Sequence, residues 1–227
     1  MKKQRKLPRS LRKQPNKVRI KRRNRTGKAL RSIRSDSGFY RERGYFAVMS
    51  LFLEAGLRSP TDVIEKVFQR KGSCRILELG SGQGFALSEL RGKLPQDWLP
   101  KIVFEGIDIL PVSDKRLNPP KGVLLHSGNI LARPFPKSDI IFSIWALGYV
   151  GNIGFAVRKA ADALNSGGTA VLHINQHSST HLNDAKPLVQ DLKKLASNLS
   201  RIKLKDAGIQ VNKALRSDNL IVVIRKE

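Results

Sequence analysis

From Cys74 to the C-terminus, short apolar runs alternate with helix-like segments, and that alternation leaves few architectures open to the chain. Residues 75–79, 102–108, 122–126, 139–145 and 169–174 are dominated by Ile, Val, Leu and Phe, the composition of strands buried on both faces. Residues 84–94 and 154–164 carry helical spacing between strands, and residues 185–199 do so after the fifth. Strands joined by helical crossovers run parallel, with helices packed on both faces of the sheet. The end of the chain differs. Residues 208–213 and 220–224 are separated by a short polar link at 214–219 that leaves no room for a helix, so they are expected to form an antiparallel hairpin at or near the sheet edge. The expected fold class is therefore α/β: an open, mostly parallel sheet with helices on both faces and a C-terminal antiparallel strand hairpin.

Two helices are expected ahead of the sheet. Residues 37–57 place Tyr40, Phe46, Met49, Leu51, Phe52 and Leu53 on a broad apolar face, and Gly56 ends the run. Ser59-Pro60-Thr61-Asp62 then has the form of a helix start: Ser59 as cap, Pro60 in the first helical position and Asp62 completing a capping box. Val63, Ile64, Val67 and Phe68 face inward along that helix, which is expected to stop before Gly72. The chain thus divides into a basic arm (1–35), a helical lead-in (36–72) and the main domain (73–227).

Charge separates the arm from the rest. Of 43 Lys and Arg residues, sixteen lie within residues 1–34, and no acidic residue precedes Asp36. Poor in apolar residues and interrupted by Pro8 and Pro15, the arm cannot bury enough surface to fold alone. A block of like charge calls for a polyanion, and nucleic acid is the usual one, because each phosphate neutralised releases a counterion without reading sequence. RNA contacted by the Lys and Arg residues of 1–34 is the expected partner. A targeting segment, a solubilising tail and an anionic membrane surface are the alternatives. No run approaches a membrane span and the N-terminus has no apolar segment of a secretory signal, so a cytoplasmic location is expected, with organellar targeting left open. The one cysteine, Cys74, excludes a disulfide or a multi-cysteine metal site within the chain.

Glu78-Leu79-Gly80-Ser81-Gly82-Gln83-Gly84 lies directly after the first strand and before a helix. Three glycines at alternate positions let the backbone turn sharply and let a ligand approach the main chain. The spacing excludes two common ligands. A dinucleotide fingerprint needs a small residue where Phe85 stands, and a P-loop needs Lys followed by Ser or Thr at the end of a longer loop. Glu78 beside the loop repels a pyrophosphate but suits a cationic group.

Residues 75–87 resemble motif I of the class I S-adenosylmethionine-dependent methyltransferases, in which an acid is followed by alternating glycines. Further segments match in order. Gly106-Ile107-Asp108 ends the second strand with an acid, and Leu164-Asn165-Ser166-Gly167-Gly168-Thr169 resembles the family's turn into the fifth strand. Gly128-Asn129-Ile130 follows the third strand, where the family usually has Asp; Asn129 departs from that pattern while keeping an amide able to bond an adenine edge. The likeness spans about residues 74–225 and implies a Rossmann-like sheet, S-adenosyl-L-methionine as cofactor and methyltransferase activity. It also implies a binding set. Gly80 and Gly82 approach the methionine moiety, with Ser81 and Gly84 completing the loop and Glu78 facing the ammonium. Asp108 accepts from the ribose hydroxyls, Ile109 and Ile130 sandwich the adenine, and Asn129 touches its edge.

The acceptor is read after the fourth and fifth strands. Ser143-Ile144-Trp145-Ala146-Leu147-Gly148-Tyr149 lacks the Asn/Asp-Pro-Pro-aromatic turn of base-amine methyltransferases, and Cys74 is remote from where a cytosine-5 nucleophile belongs. The Lys-Asp-Lys-Glu set of the ribose 2′-O group is also not recognisable. Trp145 and Tyr149 are candidate substrate contacts, able to stack on a base or to pack the following helix. His173, His177 and His181 recur at spacings of four, but Ser178-Ser179-Thr180 argues for a loop and no carboxylate adjoins the run, so no metal site is expected. His177 and His181 are the catalytic candidates, as general base or substrate contact, and His173 is expected to be a buried packing residue. Three functions remain open: a methyltransferase acting on RNA, ribosomal RNA included; a small-molecule methyltransferase with a solubilising or targeting arm; and a non-catalytic RNA- or ribosome-binding factor that keeps the fold.

Overall fold

A computed structural model describes residues 44–109, 120–175, 192–200, 209–215 and 219–227. The basic arm and residues 36–43 of the lead-in lie outside the described residues. Within them the chain forms α1 (Tyr45–Glu54), α2 (Pro60–Lys71), β1 (Cys74–Leu79), α3 (Phe85–Arg91), β2 (Ile102–Asp108), β3 (Val123–Ser127), β4 (Ser138–Ser143), α4 (Ile153–Ala163), β5 (Leu164–Asn175), α5 (Leu192–Ser200), β6 (Ile209–Leu215) and β7 (Asn219–Lys226).

The seven strands form one sheet in the order β3-β2-β1-β4-β5-β7-β6. Strands β1 to β5 pair in parallel, while β7 runs antiparallel to β5 and β6 antiparallel to β7. The expected α/β class and terminal hairpin are both present. From β1 the chain winds outward through β2 to β3, then returns to the other side of β1 with β4. This reversal opens a crevice at the carboxyl ends of β1 and β4, the place where open α/β sheets bind ligands.

Sequence and local structure agree closely in α2. Ser59 Oγ accepts from the Asp62 amide at 3.2 Å, Pro60 occupies the first turn, and Gly72 closes the helix at φ 69°. The strands are rich in apolar residues because both of their faces are covered; every residue of β4 is buried. One face of the sheet packs Ile76, Phe104, Phe142, Val171 and Ile221 against α1, α2 and α3. Phe52 of α1 meets Phe142 edge to face at 6.4 Å, and each fully buried side chain of this kind contributes roughly 1.5–3 kcal/mol. The opposite face sets Leu79, Ile141, Leu172 and Val222 against Ala156, Val157, Ala160 and Leu199 of α4 and α5.

Among the boundaries that differ from expectation are those of β4 and β5. The fourth strand ends at Ser143 rather than Trp145, because Trp145 turns into the left-handed region at φ 55°. The fifth strand begins at Leu164 rather than Thr169, with Gly167 at φ 70° and a register shift against β4 between Ser138 and Ile140. The irregular start belongs to the strand because Ser138 pairs with Leu164 before the regular ladder resumes at Thr169.

Cys74 opens β1 at 2% exposure, at the strand end opposite the crevice. Burial pushes its thiol up to about 12, with the Asp139 carboxylate adding to the rise and Lys71 opposing it. The native protein is therefore expected to resist iodoacetamide at neutral pH and to react only after denaturation; rapid alkylation of the folded chain would contradict this placement. No helix among the described residues is long and apolar enough to cross a membrane.

Candidate functional site

At the carboxyl end of β1 the backbone turns through Gly80, Gly82 and Gly84 at φ 76°, 54° and 75°. A side chain is strained at such angles, and at Gly80 the space is closed as well: a Cβ there would collide with the Cβ of Ala146. The glycine loop and the turn after β4 thus touch across the topological switch.

The loop is fastened to β2. Gly80 N–H donates to the Ile107 carbonyl at 2.7 Å, and Gly82 N–H donates to Asp108 Oδ2 at 2.8 Å. Asp108 ends its strand half-buried, and its own carbonyl accepts from Gly128 N–H at 2.7 Å. One residue therefore joins the loops after β1, β2 and β3. On the far side of β1, Ser143 Oγ donates to the Leu79 carbonyl at 2.8 Å, tying the end of β4 to the same corner.

Glu78 is 2% exposed on β1, beside the loop. Ser81 is also buried, and its Oγ has no hydrogen-bond partner among the described residues. It lies so close to Gly106 that a Cβ on that residue would overlap it. A buried unpartnered hydroxyl in a loop this tight is uncommon.

Beyond β3, Asn129 forms an Asx turn: its Oδ1 accepts from Leu131 N–H at 2.8 Å, and its carbonyl accepts from Ala132 and Arg133. Ile130 is 8% exposed and packed in the core, while Ile109 stands 46% exposed after β2. Beyond β4, Trp145 is half-buried with its ring 6.3 Å from the imidazole of His173. Tyr149 ends a short 3-10 turn, Leu147–Tyr149, and Asn152 caps α4 by accepting from Phe155 N–H at 3.0 Å. His173 is buried, as expected. Burial pushes its imidazole below the ordinary range, against the hydrogen bond to Asn219 and the Glu54 carboxylate, so it is neutral at neutral pH.

The carboxyl ends of β1 to β4 thus bring together Glu78, Gly80, Ser81, Gly82, Gly84, Asp108, Ile109, Asn129, Ile130, Trp145 and Tyr149. His177 and His181 lie outside the described residues. No cluster of three or more His, Cys, Asp or Glu able to hold a metal occurs among the described residues. Sequence reasoning missed Ala146, whose small side chain is what lets Gly80 approach, and it missed the bond from Gly82 N–H to Asp108. It also missed Lys159, half-buried behind the Asn129 loop, because a lysine inside a helix carries no signal separating a clamp from a solvated side chain.

No protein-family model matches the sequence, and no curated protein sequence matches it either. Solved structures do. The plantazolicin methyltransferase BpumL, in complex with a monoazolic desmethylPZN analog and SAH, superposes at TM-score 0.62 with 14% identity, covering 92% of this chain and 99% of that one. The plantazolicin methyltransferase BamL, with a triazolic analog and SAH, matches at TM-score 0.53 and 14% identity over 83% of this chain and 98% of its own. A looser match, the CurJ carbon methyltransferase at TM-score 0.49 and 15% identity, covers 73% of this chain, which spans only 52% of that protein's length. With its strand order, antiparallel β7 and glycine loop at the switch point, the chain has the fold of the class I S-adenosylmethionine-dependent methyltransferases.

Proposed function

We propose that this protein is an S-adenosylmethionine-dependent methyltransferase whose acceptor is RNA, held through the basic arm. The observation that carries the cofactor reading is the bond from Gly82 N–H to Asp108 Oδ2, which folds a loop of three left-handed glycines over the ends of β1 and β2. The residues present fit the cofactor. Gly80 packs on Ala146 so closely that no Cβ fits, which holds the loop's main chain at the ends of β1 and β4, and the buried Ser81 hydroxyl has no partner among the described residues. Buried Glu78 offers a carboxylate to an ammonium, and Asp108 offers one to vicinal hydroxyls. When bound, the cofactor supplies an electrophilic methyl group on a sulfonium. The chain's own work is to bind, align and exclude water, which suffices where the acceptor is already nucleophilic.

Trp145 and Tyr149 wall the acceptor side of the crevice. The imidazoles of His177 and His181, a few residues past Asn175 at the end of β5, are the groups proposed to take a proton or contact the acceptor. The RNA reading rests on the arm: sixteen Lys and Arg residues and no acid within 1–34. A small-molecule acceptor is the second reading, because the plantazolicin methyltransferases of similar fold are solved with desmethylPZN analogs bound.

The test follows labelled methyl transfer from S-adenosylmethionine into the RNA, protein and small-molecule fractions of an extract, for the intact chain and for one lacking residues 1–34. Nuclease-sensitive label is expected, falling by roughly tenfold or more when the arm is removed or salt is raised from 50 to 200 mM. Label confined to small molecules and indifferent to the arm would replace RNA with the second reading. Cofactor binding without any label would leave a non-catalytic RNA-binding factor.

A further inference from the structure

Lys159 stands half-buried on α4, and its ammonium makes an unusual set of contacts. It donates to the carbonyls of Ile130 at 2.7 Å, Leu131 at 3.1 Å and Arg133 at 2.6 Å. An ammonium has three N–H bonds, so all of its donors are spent on one loop. No carboxylate shares it in any ion pair found among the described residues. The ring of Phe135 lies under the charge at 4.3 Å and that of Phe155 at 5.7 Å. Burial pushes the lysine's pKa down from its ordinary value, without any carboxylate to offset it.

The loop held in this way runs directly from β3 and carries Asn129 and Ile130. Its backbone carbonyls turn inward to Lys159, while the Asx turn commits Asn129 Oδ1 to Leu131 N–H. Among the described residues the Asn129 amide nitrogen has no partner, and the side chain is exposed. The loop therefore offers the crevice a hydrogen-bond donor where the family's usual aspartate offers an acceptor. A ring nitrogen of a purine matches that donor.

We infer that Lys159 is a positioning residue for the purine end of the cofactor site, acting through three backbone carbonyls to hold Asn129 against the base. The inference rests on the cofactor reading above. Only an ammonium suits three carbonyls converging on one point; the planar guanidinium of arginine does not.

The experiment is a double-mutant cycle on the affinity of the full chain for S-adenosylhomocysteine, measured by calorimetry. Lys159→Met keeps the stem and removes the donors, and is expected to raise the dissociation constant about tenfold, near the worth of one charge-assisted hydrogen bond. Asn129→Ala is expected to weaken the wild type several-fold but to change the Lys159→Met background by less than about twofold, because the amide is already misplaced there. Lys137→Met is the control. That lysine also donates to a backbone carbonyl, of Asp162 at 2.6 Å, but touches nothing in the site, so its loss should leave affinity unchanged. Additive effects of the two substitutions, or an unchanged affinity in Lys159→Met, overturn the inference, since a purely structural lysine predicts additivity. If Lys159→Met does not fold at the assay temperature, Lys159→Gln, which keeps an amide donor, is read in the same cycle. A wild type that fails to bind S-adenosylhomocysteine sinks the cofactor reading itself, whereas binding without coupling sinks only the role of Lys159.

Discussion

Asp108→Ala is expected to weaken S-adenosylhomocysteine binding by about a hundredfold or more and to reduce methyl transfer to background. Two losses combine. The carboxylate accepts from Gly82 N–H at 2.8 Å, so its removal frees the tip of the glycine loop. It also takes away the acceptor proposed for the ribose hydroxyls. A hydrogen bond to a charged group contributes about 1.5–3 kcal/mol, and two such losses correspond to roughly 10²–10⁴ in affinity. Asp108→Asn separates them: its amide oxygen can still accept from Gly82 N–H, but the charge is gone, so a smaller loss of about tenfold is expected. Calorimetry of the three proteins reads the series directly. Because Asp108 is only half-buried, thermal stability should change little, and an alanine variant that binds as tightly as wild type would remove Asp108 from the site.

What was legible in the sequence follows the same division between backbone demand and tertiary contact. Gly80, Gly82 and Gly84 could be read because a left-handed turn admits little else, and all three adopt positive φ. Asp108 could be read as the acid ending an apolar strand. Its bond to Gly82 could not, since it joins residues 26 apart and depends on how the loop folds back. Trp145 was illegible for a related reason. Its bulk and apolar flanks favour a strand, yet it stands at φ 55° with its ring 6.3 Å from that of His173. The same holds for Ala146, whose importance arises only from the approach of Gly80, a residue on another strand's loop. Local preference set the elements, while the contacts that shape the crevice are nonlocal.

The second large effect lies at the opposite end of the parallel strands. Asp139, 5% exposed at the start of β4, accepts from Lys71 Nζ at 2.6 Å, from Arg75 N–H at 2.9 Å and from Asn165 Nδ2 at 2.9 Å. It thereby fastens the end of α2 and the starts of β1 and β5 to β4. Burial alone would raise its pKa, but the hydrogen bonds from Lys71, Arg75 and Asn165, with the charge of Lys71, outweigh it and hold the carboxyl below its ordinary value. Asp139→Asn leaves three donors facing a group with one neutral acceptor oxygen. The expected loss is about 2–4 kcal/mol, kept below the range for fully buried pairs because Lys71 is 30% exposed and can turn to water. In a domain of this size that lowers Tm by roughly 5–15 °C. The pH dependence fixes the cause. A carboxyl whose folded pKa is depressed stabilises the fold fully above its unfolded value, near about 3.9, and loses that contribution as pH falls through the lower folded value. The gap in unfolding free energy between wild type and Asp139→Asn should therefore be flat from pH 8 to about 5 and should shrink below about pH 4. A gap that stays constant into acid would mean that shape, not charge, holds this corner. S-Adenosylhomocysteine affinity, measured well below either melting point, should be the same in both proteins, because Asp139 stands at the end of the sheet opposite the crevice.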